Sequence, residues 1–173
     1  MTPDADWPTV EAVQTARLTL EPLRVGHAEE MAALLDDPGL HAFIGGRPAG
    51  LGELRSRYER QVEGRSEDGT EGWFNWVASE RLTGAAVGTV QATLRDQDGR
   101  RVAELAWVVA GPHQRKGYAT EAAVAVAGWL RSHGIDFLVA HVHPSHEASI
   151  GVARHLGMTA TDVLVDGEVR WTS

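Results

Sequence analysis

Three apolar runs follow one another with barely room to turn between them: "WFNWVAS" at 73–79, "AAVGTVQATL" at 85–94 and "RVAELAWVV" at 101–109. Their connectors, "ERLTG" and "RDQDGR", are too short for a crossover, so the three runs are expected to form an antiparallel meander. The next segment breaks that pattern. From about Thr120 to Ser132, Ala123, Val126, Ala127 and Leu130 recur at helical spacing. The apolar run after it, "IDFLVAHV" at 135–142, therefore arrives by a helical crossover and is predicted to lie parallel to the 101–109 strand. The result is a mixed sheet with helices on its faces.

The rest of the chain fits around that sheet. "ARLTLEPL" at 16–23 alternates with period two and stops near Pro22, as a strand does. Val25, Ala28, Ala32 and Leu35 share a helical face that "DDPG" ends; Leu51, Leu54, Tyr58 and Val62 mark a second helix. Between them lies the glycine-rich loop "HAFIGGRPAGLG", and "SEDGTEG" leads into the meander. Near the end, "EASIGVARHLG" reads as a short helix stopped by Gly157, and "TDVLVDGEVRWT" as a hairpin around Asp166-Gly167. The order is β-α-α-β-β-β-α-β-α-β-β. It implies an α/β chain of the α+β type, a mixed and mostly antiparallel seven-stranded sheet with about four helices. With 173 residues and no linker or repeat, it is expected to be one domain over 1–173, with 1–14 as a flexible lead-in.

Composition limits the function. A net charge of -8 argues against nucleic acid and against anionic membranes as partners, and suits cationic ones such as amines. The absence of cysteine excludes disulfides, zinc thiolates and a cysteine acyl-enzyme. The acidic start "MTPDADWPTVEAVQ" is unlike a secretory signal, so a cytoplasmic location is expected. The local exception to this acidity is "GPHQRKGYATEA" at 111–122, which holds Lys116, the only lysine. It joins the 101–109 strand to the helix that follows. A helix N-terminus offers unpaired N–H groups and partial positive charge, so a small-residue loop leading into one can hold an anion. Gly117 and Ala119 keep the approach open, Arg115 and Lys116 add charge, and Thr120 adds a hydroxyl. The plainer reading is a strand-to-helix turn that needs glycine for its backbone.

In this setting Gln114–Ala119 matches Q/R-x-x-G-x-G/A, and the chain resembles the GNAT N-acyltransferases. "TARLTLEPL" before a helix and the later "HEASIGVARHLGM" are similar to the RimJ/RimL-type branch. The likeness runs from about residue 15 to 172. It implies acetyl-CoA as co-substrate, lying where the fourth and fifth predicted strands, 101–109 and 135–142, splay apart. Trp107, Val108 and Val109 would line the pantetheine arm, with a backbone N–H near Val109 as an oxyanion donor. Gln114, Arg115, Lys116, Gly117, Tyr118, Ala119 and Thr120 would take the pyrophosphate. His146 stands where the family often has an asparagine that contacts pantetheine. Ala153 stands where many members carry an acid tyrosine, and Ser149 matches the RimJ/RimL-type serine that would serve the leaving sulfur.

Two residues compete for the role of general base. His141 lies at the position where another branch of the family carries a glutamate, and imidazole suits neutral pH. Glu104 resembles a glutamate that works through water. Asp162 is a weaker third choice. His141, His143 and His146 also spell H-x-H-x-x-H, the spacing of a metal site that the family does not need. The acceptor side would be built from "HAFIGGRPAG", Tyr58, Asn75 on the "GWFNW" strand, and the last hairpin. The resemblance thus implies an N-acetyltransferase, monomer or homodimer, acting on a small-molecule amine or a protein N-terminus. The alternatives are an acyl-CoA sensor without turnover and a metal hydrolase on the three histidines.

Overall fold

The computed structural model describes residues 6–43 and 46–173. Its strands are β1 (Val13–Gln14), β2 (Leu18–Pro22), β3 (Glu71–Glu80), β4 (Ala86–Gln97), β5 (Arg100–Val109), β6 (Phe137–Val142), β7 (Thr159–Val165) and β8 (Glu168–Thr172). They form one sheet in the order β1-β2-β3-β4-β5-β6-β8-β7. Its helices are α1 (Ala28–Leu34), α2 (Leu51–Gln61), α3 (Tyr118–Ser132) and α4 (Glu147–His155). This is the mixed α/β architecture expected, a mostly antiparallel sheet with these four helices. The seven expected strands are all present, and β1, two residues pairing with β2, makes the eighth. Ile44 and Gly45 of the glycine-rich loop, and the first five residues of the lead-in, lie outside the described residues.

The meander is antiparallel throughout, and β5 and β6 form the one parallel pair among the described strands. That pair is short. Val102, Ala103 and Glu104 are matched to Phe137, Leu138 and Val139, and the ladder then stops, although β5 runs on to Val109 and β6 to Val142. On its other edge β6 pairs with β8 from Val139 to Val142. The expected splay is therefore a wedge that opens after Glu104.

The two faces of the sheet differ. Leu94, Phe74, Trp76, Val90, Leu105, Leu138 and Ala140 face α3 and α4, whose Ala123, Val126, Ala127, Leu130 and Val152 complete the larger core. Small residues on α3 let the helix lie close to the sheet. On the other face, α1 and α2 cover β3 and β4 only as far as Val77 and Ala86, with Met31, Leu54 and Tyr58 filling the contact. Past that edge the face is open: Ala106, in the middle of the sheet, is exposed. A polar row of Asn75, Gln91, Thr93, Glu104, His141 and Arg170 forms the uncovered floor.

Residues 6–14 lie against the meander. Trp7 donates its indole N–H to the Gly69 carbonyl (3.3 Å), and the Arg101 guanidinium lies 5.2 Å from its ring. Trp76 in turn donates to the Glu11 carbonyl (2.9 Å), and Val10 and Val13 pack against the core. The lead-in is a strap, with Trp7, Val10 and Val13 as its apolar contacts to the larger core. The first helix is shorter than expected: Val25–His27 is a 3-10 turn and the α-helix begins at Ala28. Among the described residues, no helix is long and apolar enough to cross a membrane.

Candidate active site

The loop after β5 and the start of α3 make one half of the site. Gly117 is the residue before α3, with φ 81° in the left-handed region, so a side chain there is strained whatever space is available. The backbone alone thus accounts for glycine at 117. Arg115 also has positive φ (62°), an unusual state for a bulky residue that points to a functional constraint. The first helical bond runs from the Glu121 N–H to the Gly117 carbonyl (3.0 Å), which leaves the Tyr118, Ala119 and Thr120 N–H groups without a helical acceptor. Gln114 through Gly117 are exposed. Gln114 folds back to donate to the Val109 carbonyl (2.9 Å), which ties the loop to the end of β5.

Two features of this loop differ from expectation. Tyr118 turns inward: its ring is 7% exposed and its hydroxyl donates to Glu80 (2.7 Å), so only its backbone can serve a ligand. That hydrogen bond holds the Glu80 carboxyl below its ordinary range and raises the phenol. Arg17, about a hundred residues earlier, is a cation the sequence did not flag. It pairs with Glu121 (3.1 Å), lies 4.6 Å from the Tyr118 ring, and reaches to within contact of Gly117. Nothing in "TARLTL" signals that role; only the pairing of β2 beside β3 brings it there.

The wedge between β5 and β6 makes the second half. The Ala110 N–H bonds the Val87 carbonyl on β4. Peptide groups along a strand alternate in direction, so those of Val108 also face β4, and those of Trp107 and Val109 face the wedge. Gly88 confirms the alternation: a β-carbon at 88 would fall on the Val108 carbonyl oxygen. Of the three β5 residues expected to meet pantetheine, Trp107 and Val109 therefore present backbone groups to the wedge and Val108 does not. Gly88, which sequence reasoning passed over, carries the harder steric demand for glycine.

Across the wedge, Ser149 sits in the first turn of α4. Its oxygen accepts from the Trp107 indole N–H (3.3 Å). The indole can only donate, so the hydroxyl keeps its own proton to give elsewhere. Ala153, one turn later, is fully buried in the core. His146 precedes α4 and stacks on Phe43 (4.3 Å between centroids, 6° between planes). Burial, and then the neighbouring His143, hold the His146 pKa below its ordinary value, favouring the neutral ring.

The open face joins the two proposed bases. His141 Nδ1 lies 2.9 Å from Glu104 Oε1. A carboxylate only accepts, so Nδ1 carries the proton and Nε2 carries the free lone pair. Glu104 Oε2 accepts from Arg95 (2.9 Å), and Arg95 donates again to Glu71 (2.7 Å), which also accepts from the Trp73 indole (2.9 Å). The Trp73 bond, then Arg95, holds the Glu71 carboxyl below its usual range. Arg95 is 41% exposed, so each ion pair contributes only about 0–1 kcal/mol. Their effect is to fix the Glu104 carboxylate and through it the imidazole.

The acceptor residues divide. Tyr58 is 4% exposed inside the smaller core, with its phenol raised by burial, and does not line the open face. Asn75 does, and its side-chain nitrogen is buried without a partner. Asp162 lies in the bulge of β7 opposite Arg170. His143 accepts from the Ser145 N–H (3.1 Å), and among the described residues no group of three His, Asp or Glu is arranged to hold a metal ion.

The profile of the acetyltransferase (GNAT) domain family matches residues 17–159. No curated protein is significantly similar in sequence. Solved structures share the fold at low identity. An acetyltransferase (GNAT family) from Bacillus anthracis superposes with a TM-score of 0.73 at 16% identity, over 94% of this chain and 98% of that one. RimL, a ribosomal L7/L12 alpha-N-protein acetyltransferase in complex with coenzyme A, gives 0.78 at 13%, over 94% and 97%. The microcin C7 self-immunity acetyltransferase MccE, in complex with acetyl-CoA and AMP, gives 0.71 at 15%, over 92% and 93%.

Proposed function

The chain belongs to the GNAT acetyltransferase family, with acetyl-CoA as its co-substrate, and from that premise we propose that it acetylates a primary amine by direct attack in a ternary complex. The amine belongs to a small molecule or a protein N-terminus. The observation that carries this reading is the His141–Glu104 hydrogen bond, which leaves Nε2 free on the open face beside the wedge.

The residues divide the work. The α3 amides, with Arg17, Arg115 and Lys116, would hold the pyrophosphate. The β5 edge at Trp107 and Val109 would align the pantetheine arm and present an N–H to the carbonyl oxygen. His141 Nε2 accepts a proton from the attacking ammonium, and Glu104 stabilises the imidazolium that results. The amine nitrogen then bonds the acetyl carbon as the carbon–sulfur bond breaks, and the second proton that the nitrogen sheds goes to the departing thiolate, giving free CoA thiol. Ser149 gives a hydrogen bond to the departing sulfur.

Release of free CoA across a panel of primary amines tests the proposal. Turnover with at least one amine, lost in His141→Ala, supports it. Tight binding of acetyl-CoA with no amine above background would leave the sensor reading, which the buried Ala153 favours.

A further inference from the structure

Seven arginines of this chain have charged or aromatic partners. Arg17, Arg24, Arg47, Arg55 and Arg95 each pair with a glutamate, and Arg100 and Arg101 lie over aromatic rings. Arg170 is different. Its Nε is buried and has no hydrogen-bond partner, and among the described residues its guanidinium makes no ion pair. The acids of its own hairpin, Asp162, Asp166 and Glu168, leave it unpaired. An unpaired guanidinium N–H taken out of water is costly, so something else is expected to satisfy it.

Its position says what. Arg170 is the register partner of His141 across β6 and β8, and paired residues share a face with β-carbons about 4.5–5.5 Å apart. The Arg170 side chain therefore leaves the sheet on the same face as the base, one strand from it. Resting on the acetyl-transfer function above, we propose that Arg170 binds an anionic group of the acceptor, and that the acceptor is a small amine with a carboxylate a few bonds from its nitrogen. The fork of a guanidinium matches a carboxylate in two hydrogen bonds. The negative Glu104, two strands away on the same face, disfavours a phosphate dianion there. A peptide N-terminus carries a neutral amide next to its amine and leaves Arg170 as it is.

The test compares free amino acids with their matched amides as acceptors, by CoA release, for wild type, R170K and R170Q. A bond to a charged group is worth about 1.5–3 kcal/mol, so kcat/KM for the best acid should exceed that of its amide by about 10- to 150-fold. The ratio should fall towards one in R170Q, mainly through KM, and partly survive in R170K. Amides that serve wild type as well as acids, or an undiminished ratio in R170Q, overturn the assignment. A second arm needs no turnover: calorimetric titration of the CoA-loaded protein with the N-acetyl amino acids and their N-acetyl amides. Tighter binding of the acids, lost in R170Q, supports Arg170; equal or absent binding overturns it. If no amine in either series releases CoA, acetyl transfer to small amines fails, and this titration still decides Arg170.

Discussion

Glu104→Gln separates the two roles open to that residue. If Glu104 acts only by holding His141, the substitution replaces a charge-assisted hydrogen bond of 2.9 Å with a neutral one. The loss is the difference between the two, about 1–1.5 kcal/mol of the interaction that stabilises the imidazolium. At about 1.36 kcal/mol per decade, kcat falls by about 5- to 13-fold, with little change in KM for acetyl-CoA. His141→Ala removes the base itself and should cost about 10²–10⁴-fold. The decisive sample is the double variant. Residues that act as a unit are not additive, so E104Q placed on H141A should lower kcat by less than about threefold more. Stability should move little, because Arg95 keeps Glu71 and exposed ion pairs contribute only about 0–1 kcal/mol. Stopped-flow detection of CoA thiol gives kcat, and a thermal melt gives the fold control. A double variant that shows the full E104Q factor refutes the dyad: Glu104 would then act on substrate by itself or through water.

Three further outcomes follow from the geometry. Gly88→Ala drives a methyl onto the Val108 carbonyl and should destabilise by about 1–3 kcal/mol in urea titration, whereas Gly117→Val, at φ 81°, should cost roughly 1–2 kcal/mol and also weaken acetyl-CoA binding by calorimetry. Unchanged affinity in the second would remove the loop from the donor site. Ser149→Ala should slow kcat by about 2- to 13-fold, the worth of one hydrogen bond; Trp107→Phe should do part of the same and nothing more in the S149A background. For pH, the folded His146 pKa lies below its unfolded value, so as pH falls the unfolded chain takes the proton first and stability drops through the ordinary histidine range near about 6.5. His146→Asn should flatten that acid limb in denaturation midpoints measured between about pH 7 and 5; an unchanged limb would assign it to other groups.

The parts of the fold that the sequence predicts well are local. The meander and the crossover rest on period and turn residues within a few positions of each other, and the Gly157 stop is visible for the same reason. In the structure the Met158 and Gly157 N–H groups close back on the Ala153 and Arg154 carbonyls, as such a cap requires. The strap at 6–14 was not legible, because one tryptophan in an acidic stretch carries no period and its partners lie at Gly69 and Arg101. His141 and Glu104 looked like rivals because they are 37 residues apart in sequence; only the parallel register puts them on one face. Tyr58 has the spacing of a core residue as well as a place near the cleft, and packing settled it in the core. Arg170 reads as an ordinary hairpin cation until its partner across the ladder is known to be His141.

The ladder between β5 and β6 ends three rungs in, at Glu104 and Val139. Past that point the edge of β5 offers peptide groups rather than side chains, and an amide-rich thread laid there would behave as a surrogate strand. Recognition of that kind is nearly blind to amino-acid identity. It asks for the pleat, the direction of the peptide at Trp107 and Val109, and a glycine at 88 to let the backbone lie as it does. Sequence can drift widely around such an edge without disturbing it, which is how a fold can persist at 13% identity. The same logic names an observable: the Trp107 and Val109 amides should exchange with solvent in the empty protein and slow when the donor is bound, while those of Ala106 and Val108, turned to β4, stay protected throughout.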